Sequence, residues 1–213
     1  MADLLDLQVT ELLCSRLCHE LASPVGAINN GIEMIEEFDE SMLPDALPLI
    51  GSSAKLVADR LKFYRMAYGR AGTRAVASDS EVRELAAAYL SDGRSTLDWP
   101  DEPAIAGFSD GWGKVLLNLV PLATETLPRG GVIRFRFADG GDRLRVTVVS
   151  EGKGARIPEE CLAALAPDAD IGALTPRSVH AYFLALLVRR QGSEIAVESG
   201  VPDSLTLRVD LAR

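Results

Sequence analysis

The stretch with the clearest chemical potential is Arg16-Leu17-Cys18-His19-Glu20-Leu21-Ala22-Ser23-Pro24. It lies in a long amphipathic segment from about Leu4 to Phe38, with apolar residues at Leu7, Cys14, Leu17, Leu21, Val25, Ile28, Ile32 and Ile35. Steps of three, four and seven are the helical period, one stripe turned to a core. His19 stands two residues from both Leu17 and Leu21, roughly 160° round the helix from each, so its imidazole points into solvent. Its own face carries Ser15, Arg16, Ala22, Ser23 and Gly26, with Asn30 beyond. Residues three or four apart share a helix face. Arg16 aside, these are small or short and polar, a low surface on which another protein can settle against the ring. Glu20 follows directly and can accept a proton from a ring nitrogen. An exposed imidazole offers a nucleophilic nitrogen near neutral pH; the bland alternative is a surface histidine with no task.

Other candidates are weaker. Cys14 and Cys18 lie four apart beside His19. Adjacent residues do not converge on one ion and no fourth ligand is evident, so the thiols are expected as small core residues. His180, within an apolar helix, is expected to pack with a satisfied hydrogen bond. Trp99, Trp112 and Phe108 read as core or groove residues. Tyr64, Arg65 and Tyr68 either shape a domain junction or pack in the core.

The elements that must hold His19 follow from the pattern. The first helix ends in Asp39-Glu40-Ser41-Met42-Leu43-Pro44, and a second carries Ile50, Ala54, Val57, Leu61, Tyr64 and Tyr68 at helical spacing. Two such helices form an antiparallel hairpin, and two hairpins a four-helix bundle, which predicts a homodimer. Gly69 to Thr73 reads as a linker, placing a helical hairpin in residues 1–72 and a second domain in 73–213. Beyond it the pattern predicts a helix capped by Ser78 or Asp79 and running through about Leu90, and a short strand over Thr96 to Trp99. A helix from Ser109 to Leu127 follows, with a kink or irregularity at Pro121. Val132 to Phe137 and Leu144 to Val149 alternate as a hairpin with one face buried. A helix over Pro176 to Gln191 is stopped by Gly192, and strands at Glu194 to Glu198 and Leu205 to Leu211 close the fold. This order gives an α+β fold, a mixed sheet with helices on one face.

Composition narrows the function. Among 213 residues, 47% are hydrophobic and 25% charged, an ordinary globular balance. The formal charge of -9 argues against nucleic acid as the main partner. No apolar run is long enough to span a bilayer, and from Met1-Ala2-Asp3 no signal peptide is expected. The 3 cysteines make no disulfide framework, which suits a cytoplasmic protein.

His19-Glu20-Leu21-Ala22-Ser23-Pro24-Val25 resembles the phosphoacceptor box of sensor histidine kinases, His-Glu/Asp-Leu-x-Ser/Thr-Pro-Leu. The second half resembles their ATP-binding fold, with Arg129-Gly130-Gly131-Val132-Ile133 like the entry to its hairpin and Ile195-Ala196-Val197-Glu198-Ser199 like its late strand. The nucleotide motifs depart from the pattern. Where Asn-x-x-x-Asn-Ala belongs, the chain has Asn118-Leu119-Val120-Pro121-Leu122-Ala123, and a leucine cannot hold magnesium. The first glycine box becomes Glu151-Gly152-Lys153-Gly154-Ala155-Arg156-Ile157-Pro158. The second becomes Leu174-Thr175-Pro176-Arg177-Ser178-Val179, with no glycine to admit phosphates.

A chain that keeps the histidine and lacks the nucleotide site is similar to bacterial histidine phosphotransferases of the ChpT type. Leu17-Cys18-His19-Glu20, Ser23-Pro24, Ala27-Ile28, Thr96-Leu97-Asp98-Trp99 and Ile195-Ala196-Val197-Glu198 carry that likeness. It implies a degenerate ATPase domain behind a dimeric hairpin, and relay of phosphate from the receiver of a hybrid histidine kinase to response regulators of a cell-cycle circuit. His19 would be the phosphoacceptor, with Glu20 near Nδ1 orienting the ring. Arg16, Ser15, Ala22, Ser23 and Gly26 would meet the receiver, and Ser23 implies a weak phosphatase activity. No cofactor or metal of its own is expected, since the receiver brings Mg²⁺. Two other readings are an active soluble sensor histidine kinase and a non-catalytic receiver-binding adaptor.

Overall fold

The structure, a computed structural model, describes residues 7–38, 40–69, 78–100 and 111–212. Leu4, the linker from Arg70 onward, Phe108 and the Ser109-Asp110 helix start lie outside the described residues, as does the expected boundary at 72/73. Helix α1 (Leu7–Phe38) and helix α2 (Leu43–Ala67) are joined through a short 3-10 turn, Glu40–Met42. Pro44 sits in the first turn of α2, where its missing N–H costs nothing. The two helices meet closely at Gly31, where a Cβ would come within 2.6 Å of Ile50 Cγ1.

The expected single apolar stripe on each helix is in fact divided. Leu17 and Leu21 pack on the core. Leu7, Val25 and Ile32, however, stand in solvent with Leu47 and Leu61 of α2. Cys14 and Cys18 are exposed rather than core thiols. The inward side of α2 is instead built from Ala46, Ser53, Phe63, Tyr64, Met66 and Ala67. The outward side has its own order. Leu47, Gly51, Ala54, Ala58 and Leu61 are all exposed and step alternately by four and three. On α1, the exposed Leu7, Cys14, Cys18, Val25 and Ile32 follow one another in steps of seven and four. This is the spacing of a helix seam.

Beyond the hairpin come α3 (Asp79–Leu90), β1 (Ser95–Asp98), α4 (Trp112–Glu125), β2 (Gly131–Asp139) and β3 (Arg143–Glu151). They are followed by α5 (Glu159–Leu165), a 3-10 turn (Ile171–Ala173), α6 (Val179–Arg190), β4 (Ala196–Glu198) and β5 (Ser204–Ala212). Ser78 caps α3, its Oγ accepting from the Glu81 N–H at 3.2 Å. Helix α4 continues through Pro121, and α5 is too short to show a period in sequence. The five strands lie in the order β1-β2-β3-β5-β4, with β1 parallel to β2 and the other pairs antiparallel. The turn into β2 needs glycine at 130, which has φ +78 and where a Cβ would meet Arg94 O at 2.2 Å.

Alternation sorts the sheet into a dry and a wet face. Ile133, Phe135, Leu144, Val146, Val148, Leu205, Leu207, Val209 and Leu211 are buried under the helices. On the other face Arg134 pairs with Asp98 and Glu151, Arg145 with Asp210, and Arg208 with Glu198. The expected α+β fold, a mixed sheet with helices on one face, is the one observed. Val9, Phe63, Tyr64, Met66 and Ala67 of the hairpin belong to the same buried cluster as Leu116 and Leu207. No helix among the described residues is long and apolar enough to cross a membrane.

Candidate functional site

His19 is exposed midway along α1 and makes no hydrogen bond to any described residue. Ser15, Ala22 and Ser23 are exposed beside it, and Gly26 is half-buried with nothing within 4 Å of where a Cβ would stand. The glycine is therefore not demanded by packing within the chain; its effect is to keep the surface low. His19 forms part of a cavity of about 370 Å³ whose other walls are Arg16, Glu20, Glu125, Pro176 and Arg177. Those walls come from α1, the C-terminal end of α4 and the turn before α6. The sequence pattern offers no signal for Glu125, Pro176 or Arg177 at this site, because they are distant in the chain and reach it only through the tertiary fold.

Arg16 is largely occupied within the chain. Its Nε pairs with Glu20 Oε1 at 2.8 Å and its Nη2 lies 3.3 Å from Glu125 Oε1. Nη1 donates to the carbonyls of Pro176 and Arg177, each at 3.3 Å. Burial works against this charge, but the carboxylates of Glu20 and Glu125 outweigh it and hold the guanidinium protonated above its usual range. Glu20 is likewise turned to the junction. Its Oε2 accepts from Tyr64 at 2.5 Å and from Tyr89 at 3.5 Å. The expected hydrogen bond from the His19 ring to Glu20 is not formed; three other donors have taken the carboxylate.

The junction around this pair is aromatic. Phe63 stacks on Tyr89 with centroids 4.3 Å apart, and the Arg60 guanidinium lies 4.0 Å over the Tyr89 ring. Tyr68 meets Phe183 of α6 at 5.5 Å. Burial, then the Glu20 charge, pushes the Tyr89 hydroxyl up to about 12, and burial with the Glu20 hydrogen bond raises Tyr64 as well. These phenols remain donors throughout the physiological range. Arg65 is exposed.

The positions that resemble nucleotide motifs are engaged elsewhere. Asn118 donates through Nδ2 to the carbonyls of Ala67 and Lys114, both at 2.8 Å, tying α4 to the end of α2. Leu122 is fully buried. Glu151 pairs with Arg134, and the Gly154 N–H donates to Asp203 Oδ1 at 2.7 Å. Thr175 and Ser178 bond each other's backbone N–H groups, closing the turn before α6. Among the described residues no cluster of three or more His, Cys, Asp or Glu side chains is placed to hold a metal.

His180 corrects one expectation. It is fully buried; neither ring nitrogen makes a hydrogen bond of good geometry among the described residues, and its polar contact is with the backbone of Arg177. Burial first, then the charge of Arg16, holds it neutral, well below the usual imidazole range. Trp99 and Trp112 are core residues, at 6% and 4% exposure.

Residues 80–202 match the family model described as histidine phosphotransferase C-terminal domain. The chain is 34% identical over 203 residues to the protein phosphotransferase ChpT of Brucella abortus (strain 2308), covering 92% of this chain and 93% of that one. A solved structure described as a bacterial phosphotransferase superposes with a TM-score of 0.80 at 30% identity, covering 97% of this chain and 98% of that one. The histidine kinase domain from the Erythrobacter litoralis EL346 blue-light activated histidine kinase is more distant, with a TM-score of 0.43 and 18% identity over 96% of this chain and 90% of that one. A matching domain model over more than half the chain, and a relative at this identity along nearly its whole length, agree with the exposed histidine on the hairpin: the chain belongs to the ChpT family of histidine phosphotransferases.

Proposed function

We propose that this histidine phosphotransferase takes a phosphoryl group from the receiver aspartate of a hybrid histidine kinase onto His19 and passes it to the aspartates of response regulators. One observation carries the reading. The imidazole is exposed, free of hydrogen bonds to described residues, and set on a low helix face beside a charged cavity. The Nε2 lone pair attacks phosphorus in line, forming an N–P bond as the acyl P–O bond breaks and its electron pair leaves with the donor carboxylate. A second receiver reverses the step with its own aspartate. Mg²⁺ and the acidic cluster that holds it come with the receiver, so this chain supplies alignment and charge. Ser15, Ala22, Ser23 and Gly26 form the surface on which the receiver rests.

The relay proceeds without ATP. A leucine at 122, fully buried where the resemblance places the metal-holding asparagine, supports this, since it offers no oxygen to a metal–triphosphate. The functional unit is a homodimer, supported by the exposed seam on α1 and α2. Its setting is the cytoplasm, where three free thiols are stable. Mixing the protein with a phosphorylated receiver and mapping the modified residue by mass spectrometry tests the assignment. Phosphate is expected on His19, and His19→Ala is expected to bind receivers and accept none. Transfer retained in His19→Ala overturns the assignment, and labelling by ATP alone overturns the ATP-free reading.

A further inference from the structure

The cavity beside His19 contains two arginines in different situations, and the difference assigns them different roles. Arg16 has 12% of its side chain exposed and divides its donors among two carboxylates and two backbone carbonyls. Its carbonyl bonds go to Pro176 and Arg177, so Arg16 pins that turn against α1 on the face that carries His19. Arg177 is held much more loosely. Its side chain is 56% exposed, with Nε on Glu125 Oε2 at 3.0 Å and Nη1 3.7 Å from Glu160 Oε1. Glu160 also accepts from the Thr175 hydroxyl at 2.7 Å, so it has a partner without Arg177. The ionised groups of the cavity wall are Arg16 and Arg177 against Glu20 and Glu125, two positive and two negative. A phosphoryl group added to His19 brings about two further negative charges, and an exposed cation already in the wall is what would meet them.

We propose that Arg177, supplied by the second domain, swings from Glu125 to the phosphoryl oxygens on His19 and stabilises both the transferring group and the phosphohistidine. Arg16 is the positioning residue that sets the turn. The inference rests on His19 being the phosphoacceptor. A guanidinium suits the role because its fork matches two phosphoryl oxygens, and such charge-assisted bonds are about twice as strong as neutral ones. Arg177, itself 56% exposed, releases two ion pairs to make this contact, and neither acid is stranded, because Glu125 keeps Arg16 and Glu160 keeps the Thr175 hydroxyl. The second domain, in place of a nucleotide site, thus contributes a charge to the reaction.

The test uses the full-length protein and phosphoramidate as phosphodonor, so that no receiver is present and docking plays no part. The His19 nitrogen forms its bond to phosphorus, the P–N bond of the donor breaks, ammonia leaves with that electron pair, and the ring releases its Nδ1 proton to water. Arg177→Ala is expected to accept phosphate roughly tenfold more slowly and to lose it faster, the loss of one charge-assisted contact. The phosphorus NMR resonance of its phosphohistidine is expected to shift, a readout that a merely structural role would not move. Arg177→Lys is expected to recover part of the rate. Arg145→Ala, remote on the wet face of the sheet, is expected to match wild type. Arg177→Ala at the wild-type rate, or with an unmoved phosphorus resonance, overturns the proposal while leaving His19 in place. Wild-type protein that takes no phosphate on His19 from phosphoramidate or from a receiver overturns the underlying assignment instead.

Discussion

Arg16 and His19 are three residues apart on one helix and do opposite things. His19 makes no hydrogen bond to a described residue, as the proposed nucleophile needs, whereas Arg16 has taken nearly every acceptor within reach. Losing Arg16 would leave the largely buried Glu20 without its cation and Glu125 with Arg177 alone. Arg16→Ala is therefore expected to lower stability by about 3 kcal/mol, the low end of what breaking a buried pair costs. Urea denaturation followed by circular dichroism measures it, and a change under half a kilocalorie would show the junction to be held by packing alone. Glu20→Gln is expected to cost less, since an amide oxygen still accepts from Tyr64 and Tyr89.

Helix α6 places a buried neutral imidazole near the guanidinium of Arg16, which makes part of the fold sensitive to acid. His180 is held well below 6.5 in the folded chain. The unfolded chain therefore binds a proton that the folded one refuses, and stability falls as pH drops below about 6.5, at up to about 1.4 kcal/mol per pH unit for this one group. Above that value the group contributes no slope. His180→Leu is expected to remove this part of the dependence, seen as a shallower fall in the urea midpoint between about pH 6.5 and 5 than in wild type. Equal slopes in the two proteins would show that His180 is not the titrating group. Asn118 makes a parallel point about α4. The first asparagine of the motif that resembles a nucleotide box is here a tie between helices, bonding the last turn of α2.

The molecule as a whole exposes a helix seam that a single chain does not cover. Leu61 is 53% exposed on α2 and Val25 43% on α1, in rows with coiled-coil spacing. A charge set into that seam is expected to separate the dimer without unfolding the chain. Leu61→Glu should sediment as a monomer at concentrations where wild type sediments as a dimer, with an unchanged far-ultraviolet spectrum. Wild type sedimenting as a monomer would remove the seam from the account. The wet sheet face is a poorer contact surface, because its arginines are already paired with acids across strands.

Much of this was legible in the chain itself. Helical and two-residue periods act over a few neighbours, so α1, α2, the β2–β3 pair and β5 follow from local patterning, as does the exposure of His19 opposite Leu17 and Leu21. The low face at Ala22, Ser23 and Gly26 was legible for the same reason. The seven residues of α5 were not, being too few to show a period. Nor was the outward row on α2, because apolar spacing alone cannot say which of two faces meets a partner. The partners of charged groups also depend on contacts far apart in sequence. Glu20 follows His19 in the chain, yet its carboxylate bonds Tyr64 and Tyr89; Arg177 lies far down the chain, yet it shares a cavity with His19. Local sequence determined the helical and strand periods and the exposure of His19, and only the packing of the hairpin against the second domain decided which apolar face stays outside and which charges meet beside the imidazole.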